Sequence, residues 1–326
     1  MPRTMRCFAY AVMLAVIAAP ASAAHAATPD PVLDILTDAL DVPAVEAALS
    51  DVASTRARPG VAAAHVGRHG SASVPQDAAR DVVLSHASGP TLAVGLPSGE
   101  TADAAQTVTD GVVAFDNNDG STTVPIVKDD ASVQILTIVH DATAPERYRY
   151  ELDVPVGSRL QQEASGAIVV LTAAGALVGG VAPPWAYDAT GAPVPTRFEI
   201  EGTSFTQVVE HLASETTYPV VADPFLGVAM VSSYRWETST RILVTPTAWA
   251  RAVYPGNVAG APIAGNPGFD ELRAKQTSST YRNRLGSSAR NQYICHVAGA
   301  PFKSTWNLET NRADKGYLGF IASGCN

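Results

Sequence analysis

Between residues 91 and 223 the chain is a succession of short apolar stretches, broken by turns roughly every 8–12 residues. Such spacing suits strands and leaves little room for helices of ordinary length. Residues 147–153 show it most cleanly. Tyr148, Tyr150 and Leu152 fall on one side and Arg149, Glu151 and Asp153 on the other, as a half-buried strand requires. Residues 197–201 alternate again, with Phe198 and Ile200 inward. Residues 107–115 and 121–128 flank Asn117-Asn118-Asp119-Gly120, where the Asp-Gly pair tolerates the positive φ of a hairpin turn. Further strands are expected at 133–139, at 168–172 and 176–178 around an Ala-Ala-Gly turn, and at 218–221. The expected fold is a mainly β N-terminal module over residues 91–225, an antiparallel meander or sandwich.

Residues 1–26 read as a secretory signal peptide. Arg3 and Arg6 precede an apolar run over residues 7–19, and Ala21-Ser22-Ala23 and Ala24-His25-Ala26 both fit a small-x-small cleavage pattern. The run is shorter than the about 20 residues of a membrane span. No later stretch reaches that length without charge or proline, so the mature chain is expected to be secreted, extracellular and without a transmembrane segment. Thr4-Met5-Arg6 before Cys7 make a poor lipid-anchor signal. Residues 27–90 read as a helical segment and a flexible connector. Val32, Leu33, Ile35, Leu36 and Leu40 recur at helix spacing, and Pro43 separates a second short run. Residues 51–90 are rich in Ala, Gly, Ser and Pro with weak periodicity, and their His65, His69 and His86 read as solvated.

Charge divides the chain. Residues 1–225 carry 11 Lys and Arg against 26 Asp and Glu, whereas residues 226–326 carry 11 against 5. An acidic module and a basic one that dock on each other account for this simply; an anionic target for the basic module is the alternative. Only four of the 22 basic residues are lysine and the positive residues are spread, which does not favour a phosphate-tracking stripe. The last hundred residues read as a small α+β domain. Strands are expected at 230–237 and 241–245, a short helix at 247–253, a helix start at 267–273 and a helix from Ser287 or Ser288 through Ala298.

That domain holds Cys295 and Cys325, and an exported chain makes a disulfide between them the expectation. Closing a loop of roughly thirty residues stabilises by about 3–4 kcal/mol on the chain-entropy model. A zinc site is the rival, but two cysteines and His296 leave a tetrahedral set incomplete. No cofactor or metal is expected. The Asp116-Asn117-Asn118-Asp119-Gly120 cluster departs from a calcium loop, with glycine at the fifth position and Val127 at the twelfth. No G-x-S-x-G elbow, H-E-x-x-H pair or phosphate-binding glycine loop occurs. The candidate catalytic residues are His296, Glu309 and Arg312, because a disulfide would bring the helix bearing His296 near the chain end, and a histidine beside a carboxylate is the raw material of acid–base chemistry. Arg290 is a further candidate for stabilising negative charge. Against this, His296 can simply hold a helix end. Trp185, Trp236, Trp249 and Trp306 share no spacing and read mostly as core, and His140 and His211 read as strand-end residues.

Two groups of residues carry a resemblance. Asp116-Asn117-Asn118-Asp119-Gly120-Ser121-Thr122, Gly180-Val181-Ala182-Pro183-Pro184-Trp185 and Tyr218-Pro219-Val220-Val221-Ala222-Asp223-Pro224 resemble a β-rich module of secreted actinobacterial proteins that precedes variable C-terminal domains. Val244-Thr245-Pro246-Thr247, Asp270-Glu271-Leu272, Gln292-Tyr293-Ile294-Cys295-His296, Trp306-Asn307-Leu308-Glu309 and Cys325-Asn326 resemble a family of unknown function carried by such proteins. The resemblance implies location and domain boundaries and brings no activity, cofactor or catalytic residue. The leading expectation is therefore a secreted β-rich scaffold that presents a small C-terminal domain. The alternatives are an extracellular hydrolase or antagonistic toxin using His296 as acid or base, and binding to a cell-envelope polymer or a target-cell molecule.

Overall fold

The alternating segment at 147–153 becomes an inner strand of one of two facing sheets. The computed structural model describes residues 31–68, 70–87, 89, 91–213, 215–253 and 258–325. The leader with Cys7 and its cleavage sites, His69 and Asn326 lie outside the described residues.

Two helices come first, α1 (Pro31–Asp38) and α2 (Pro43–Leu49), each starting on a proline whose fixed φ suits a first helical turn. Strands β1 (Val61–Val66), β2 (Gly70–Pro75), β3 (Val82–His86) and β4 (Thr91–Gly95) follow as an antiparallel meander. A second meander comprises β5 (Gln106–Thr109), β6 (Val112–Asp116), β7 (Ser121–Val127) and β8 (Val133–Val139). Strand β9 (Arg147–Asp153) then returns to pair with β4. A third meander, β10 (Arg159–Gln162), β11 (Ile168–Leu171) and β12 (Leu177–Val181), precedes the short β13 (Ala186–Tyr187). The hairpin β14 (Thr196–Glu201) and β15 (Ser204–Val209) adds to β9. Finally β16 (Val220–Ala222) and β17 (Phe225–Gly227) both pair with β8, and β17 also pairs with β12. The two sheets run β1-β2-β3-β4-β9-β15-β14 and β10-β11-β12-β17-β8-β7-β6-β5.

Between the sheets, Leu84, Tyr148, Tyr150, Leu152 and Phe205 of the first pack with Ile135, Val170, Val178 and Leu226 of the second. Tyr150 and Phe205 stack with centroids 4.9 Å apart. The outer face of the second sheet is also covered. Leu36 and Val45 of the helix pair lie on Val124, Ile126 and Leu136 at one end, and the C-terminal module lies on Val169, Leu171 and Phe225 at the other. Strand β8 is buried along its whole length, which is why its sequence is nearly continuously apolar. Strand β9, covered on one face only, alternates as expected.

The C-terminal module consists of β18 (Val231–Trp236), β19 (Arg241–Pro246), α3 (Ala248–Ala252), α4 (Ala261–Ala274), α5 (Ser279–Arg284), α6 (Ser287–Gly299), β20 (Trp306–Glu309) and α7 (Gly316–Ala322). Its antiparallel sheet runs β18-β19-β20. The expected disulfide is present: Cys295 on α6 joins Cys325 after α7, with Cα atoms 5.4 Å apart. The described residues contain no helix long and apolar enough to cross a membrane.

Three local expectations are corrected. Residues 61–86, expected as connector, form β1, β2 and β3, because their inward positions are filled by Ala62, Ala72, Val74 and Leu84, and alanine gives little hydrophobic contrast against serine. Helix α4 starts at Ala261 rather than at Pro267, which sits inside it. Helix α6 is preceded by Gly286, with no serine side chain capping it.

Candidate functional site

Helix α6 presents two of the residues singled out from sequence, Gln292 and His296, one turn apart on one face. Both reach the outward edge of β20, whose other edge is occupied by β19. Gln292 donates through Nε2 to the Glu309 carbonyl at 2.9 Å and accepts from the Glu309 amide at 2.9 Å. The His296 Nε2 lies 3.0 Å from the Asn307 carbonyl, so that nitrogen carries the proton. Together the two side chains satisfy an edge strand as a further strand would. His296 is fully buried, its ring parallel to that of Trp306 at 6.1 Å. Burial pushes its imidazole down to about 4, against the upward pull of the Asn307 carbonyl. The Glu309 carboxylate faces elsewhere and pairs with Arg312. Arg290 pairs with Asp270 at 2.6 Å and lies over Phe269. The structure therefore joins Glu309 to Arg312, and joins His296 to backbone.

A second cluster went unread in the sequence, although its Glu271 and Lys275 stand at i, i+4 on one helix; its third member, His86, lies too far along the chain for spacing to show. Glu271 on α4 lies at the junction between the sandwich and the C-terminal module. Its carboxylate accepts from the Met230 amide at 2.7 Å and the Val231 amide at 3.2 Å, where the chain passes from β17 to β18. It also meets Lys275 Nζ at 2.9 Å and His86 Nε2, at the end of β3, at 3.2 Å. Lys275 in turn lies 3.1 Å from His86 Nε2. Burial works to raise the Glu271 carboxyl; the His86 bond, the Lys275 charge and the Met230 amide outweigh it and hold the group below the usual carboxylate range. His86 is thus nearly buried and paired across 185 residues, which corrects its reading as solvated. His65 is likewise bound, to the Ser54 and Asp129 carbonyls.

Beside this cluster a cleft of about 720 Å³ opens between the modules. Arg159 and Gln161 of β10 and the β11–β12 hairpin form one wall, and Ile263, Asn266, Pro267, Asp270, Glu271 and Ala274 of α4 form the other. The remaining singled-out residues are structural in placement. His211 is buried between Tyr218 Oη and the Pro145 carbonyl. Asp116 and Asp119 bind amides and hydroxyls of their own turn and of Ser98. Trp249 and Trp306 are core residues, and Trp236 packs on Tyr281.

The residues of the edge clamp and of the junction cluster on α4 all fall in one stretch. Residues 230–326 match a family model described as protein of unknown function (DUF2599). The DUF2599 stretch thus begins at the amide that Glu271 binds and spans both cysteines. The chain has no match among curated proteins and none among solved structures.

Proposed function

We propose that the chain is a secreted two-part protein in which an acidic β-sandwich seats and presents the cationic DUF2599 module. One observation carries this reading. Trp249 of α3 is fully buried on the outer face of the sandwich, where a Cβ at Gly227 would stand 2.5 Å from its Cγ. The sandwich leaves out side chains where the module sits, and Glu271 locks the junction beside it. The leader-like residues 1–26 and the oxidised cysteine pair fit an exported chain. The placement of His296 supports a structural role for it rather than an acid–base one, and Arg312 serves to neutralise Glu309.

The test has two arms. Residues 230–326 are expressed alone and together with residues 31–229. Recovery of soluble, oxidised module only in the presence of the sandwich is expected; a monodisperse module with native near-ultraviolet dichroism on its own overturns the seating. The full chain, tagged at its C-terminus, is expressed in a secreting bacterium and fractionated. Processed protein in the medium is expected, and an intact leader in the cytoplasm overturns export.

A second reading, binding of the module to an anionic envelope polymer, is favoured by the exposed Arg235, Arg282 and Arg284. Retention on such a polymer that is absent, or insensitive to salt, counts against it.

A further inference from the structure

We propose that the cleft between the two modules binds a small amphipathic monoanion, with its carboxylate on Arg159 and its apolar body over Leu171, Leu177, Val228 and Ile263. Four observations lead there. The volume, about 720 Å³, lies in the range of small-molecule sites. The floor and much of both walls are apolar, with Leu171, Leu177, Val228, Ile263, Pro267 and Ala274 lining the space. The acidic groups in it are already matched: Glu271 by His86 and Lys275, and Asp270 by Arg290 at 2.6 Å. Arg159 is the exception. It is exposed at the cleft, and its guanidinium has no hydrogen-bond or ion-pair partner among the described residues.

Strand geometry sets Arg159 where such a ligand needs it. Side chains alternate along β10, so Leu160 packs toward the sandwich core while Arg159 and Gln161 face the cleft. Arg159 stands directly opposite Leu171 on β11. A charged head held by the guanidinium therefore has an apolar surface at its side. One free cation suits one negative charge. A multiply charged ligand would meet no second free cation among the described residues that line the cleft and would face the carboxylates of Asp270 and Glu271.

Decanoate is the probe, with decanol and decyltrimethylammonium as neutral and cationic controls, the two ions kept below their micelle concentrations and decanol below its solubility limit. They are titrated calorimetrically into the full mature chain, into Arg159→Gln and into Ala176→Trp, which fills the cleft from the β11–β12 hairpin. Saturable one-to-one binding of decanoate is expected, at least tenfold tighter than decanol. Arg159→Gln should weaken decanoate at least tenfold and leave decanol unchanged, and Ala176→Trp should abolish both. Circular dichroism on each variant establishes that it is folded; Arg159 is exposed, so its variant tests the site without touching the core. No saturable decanoate binding, equal binding by folded Arg159→Gln, or tighter binding of the ammonium overturns the proposal.

Discussion

His296 illustrates how burial decides what a titratable residue does. Its ring is fully buried against Trp306, and that burial favours the neutral form over the upward pull of the Asn307 carbonyl that its Nε2 proton meets. With the folded value near 4 and the unfolded value near 6.5, the unfolded chain takes up a proton first as pH falls. Stability is therefore full above the unfolded value and is lost as pH drops from about 6.5 toward about 4, by about 3 kcal/mol in all. Urea midpoints of wild type and His296→Gln, measured from neutral pH downward, should converge over that window; a constant gap would show that His296 is not the titrating group. The sequence revealed His296 and the cysteine next to it, but not the direction of the ring, because the covering residue Trp306 is placed by the fold of the chain after α6. His86 was harder still: its partner Glu271 is 185 residues away, and no local spacing joins them.

At the scale of elements, side chains repeatedly finish what backbone pairing leaves open. Gln292 closes the outer edge of β20 with two hydrogen bonds. Gln292→Met keeps the length and removes both, leaving part-buried backbone groups unpaired at a cost of about 1–3 kcal/mol. Exchange of the Glu309 amide should quicken in that variant while amides of β8 keep their protection. Lys128 does the same for a helix. Just past β7, its buried ammonium donates to the Ala48 carbonyl, to Ser50 at 2.6 Å and to Ala47 at 3.3 Å, gathering the open end of α2. Burial pulls its pKa down to about 8 against nearby aspartates. Lys128→Met should loosen the α1–α2 pair, costing about 2–4 kcal/mol and exposing residues 50–60 to proteolysis; an unchanged cleavage pattern would show the pair is held by its apolar face alone. An element with strong contrast, such as β9, was legible from sequence, whereas α6, buried nearly all round, was read from its i, i+4 pairs such as Gln292 and His296. Elements built from small residues, β1 and β2, were not legible, since their burial comes from the β1-β2-β3 meander and from the opposing sheet rather than from large side chains of their own. Residues 267–273 read as a helix start because acids stand in what would be its first turn, yet α4 begins at Ala261 and accommodates Pro267 within the helix.

At the scale of the molecule, the opposite net charges of the two parts were legible, and they invite the idea that long-range attraction holds the parts together. The seam argues otherwise. It is made by Trp249 on a glycine-lined seat and by one buried ionic cluster around Glu271. Screening acts on exposed charges: raising salt from about 0.1 M to about 1 M shortens the screening length from about 10 Å to about 3 Å, while a buried pair is screened far less. Packing at Gly227 is intolerant, because an added methyl would stand 2.5 Å from Trp249 Cγ with β17 fixed between β8 and β12. Two outcomes follow for the whole chain. Salt up to about 1 M should leave the parts docked, whereas Gly227→Ala should undock the module at low salt, at a cost of about 1–3 kcal/mol from overpacking. Tryptophan emission reports both, shifting to the red when Trp249 meets water, with the sandwich's far-ultraviolet dichroism as the control for folding. Release by salt together with tolerance of Gly227→Ala would mean that surface charge, not the seat, joins the two parts.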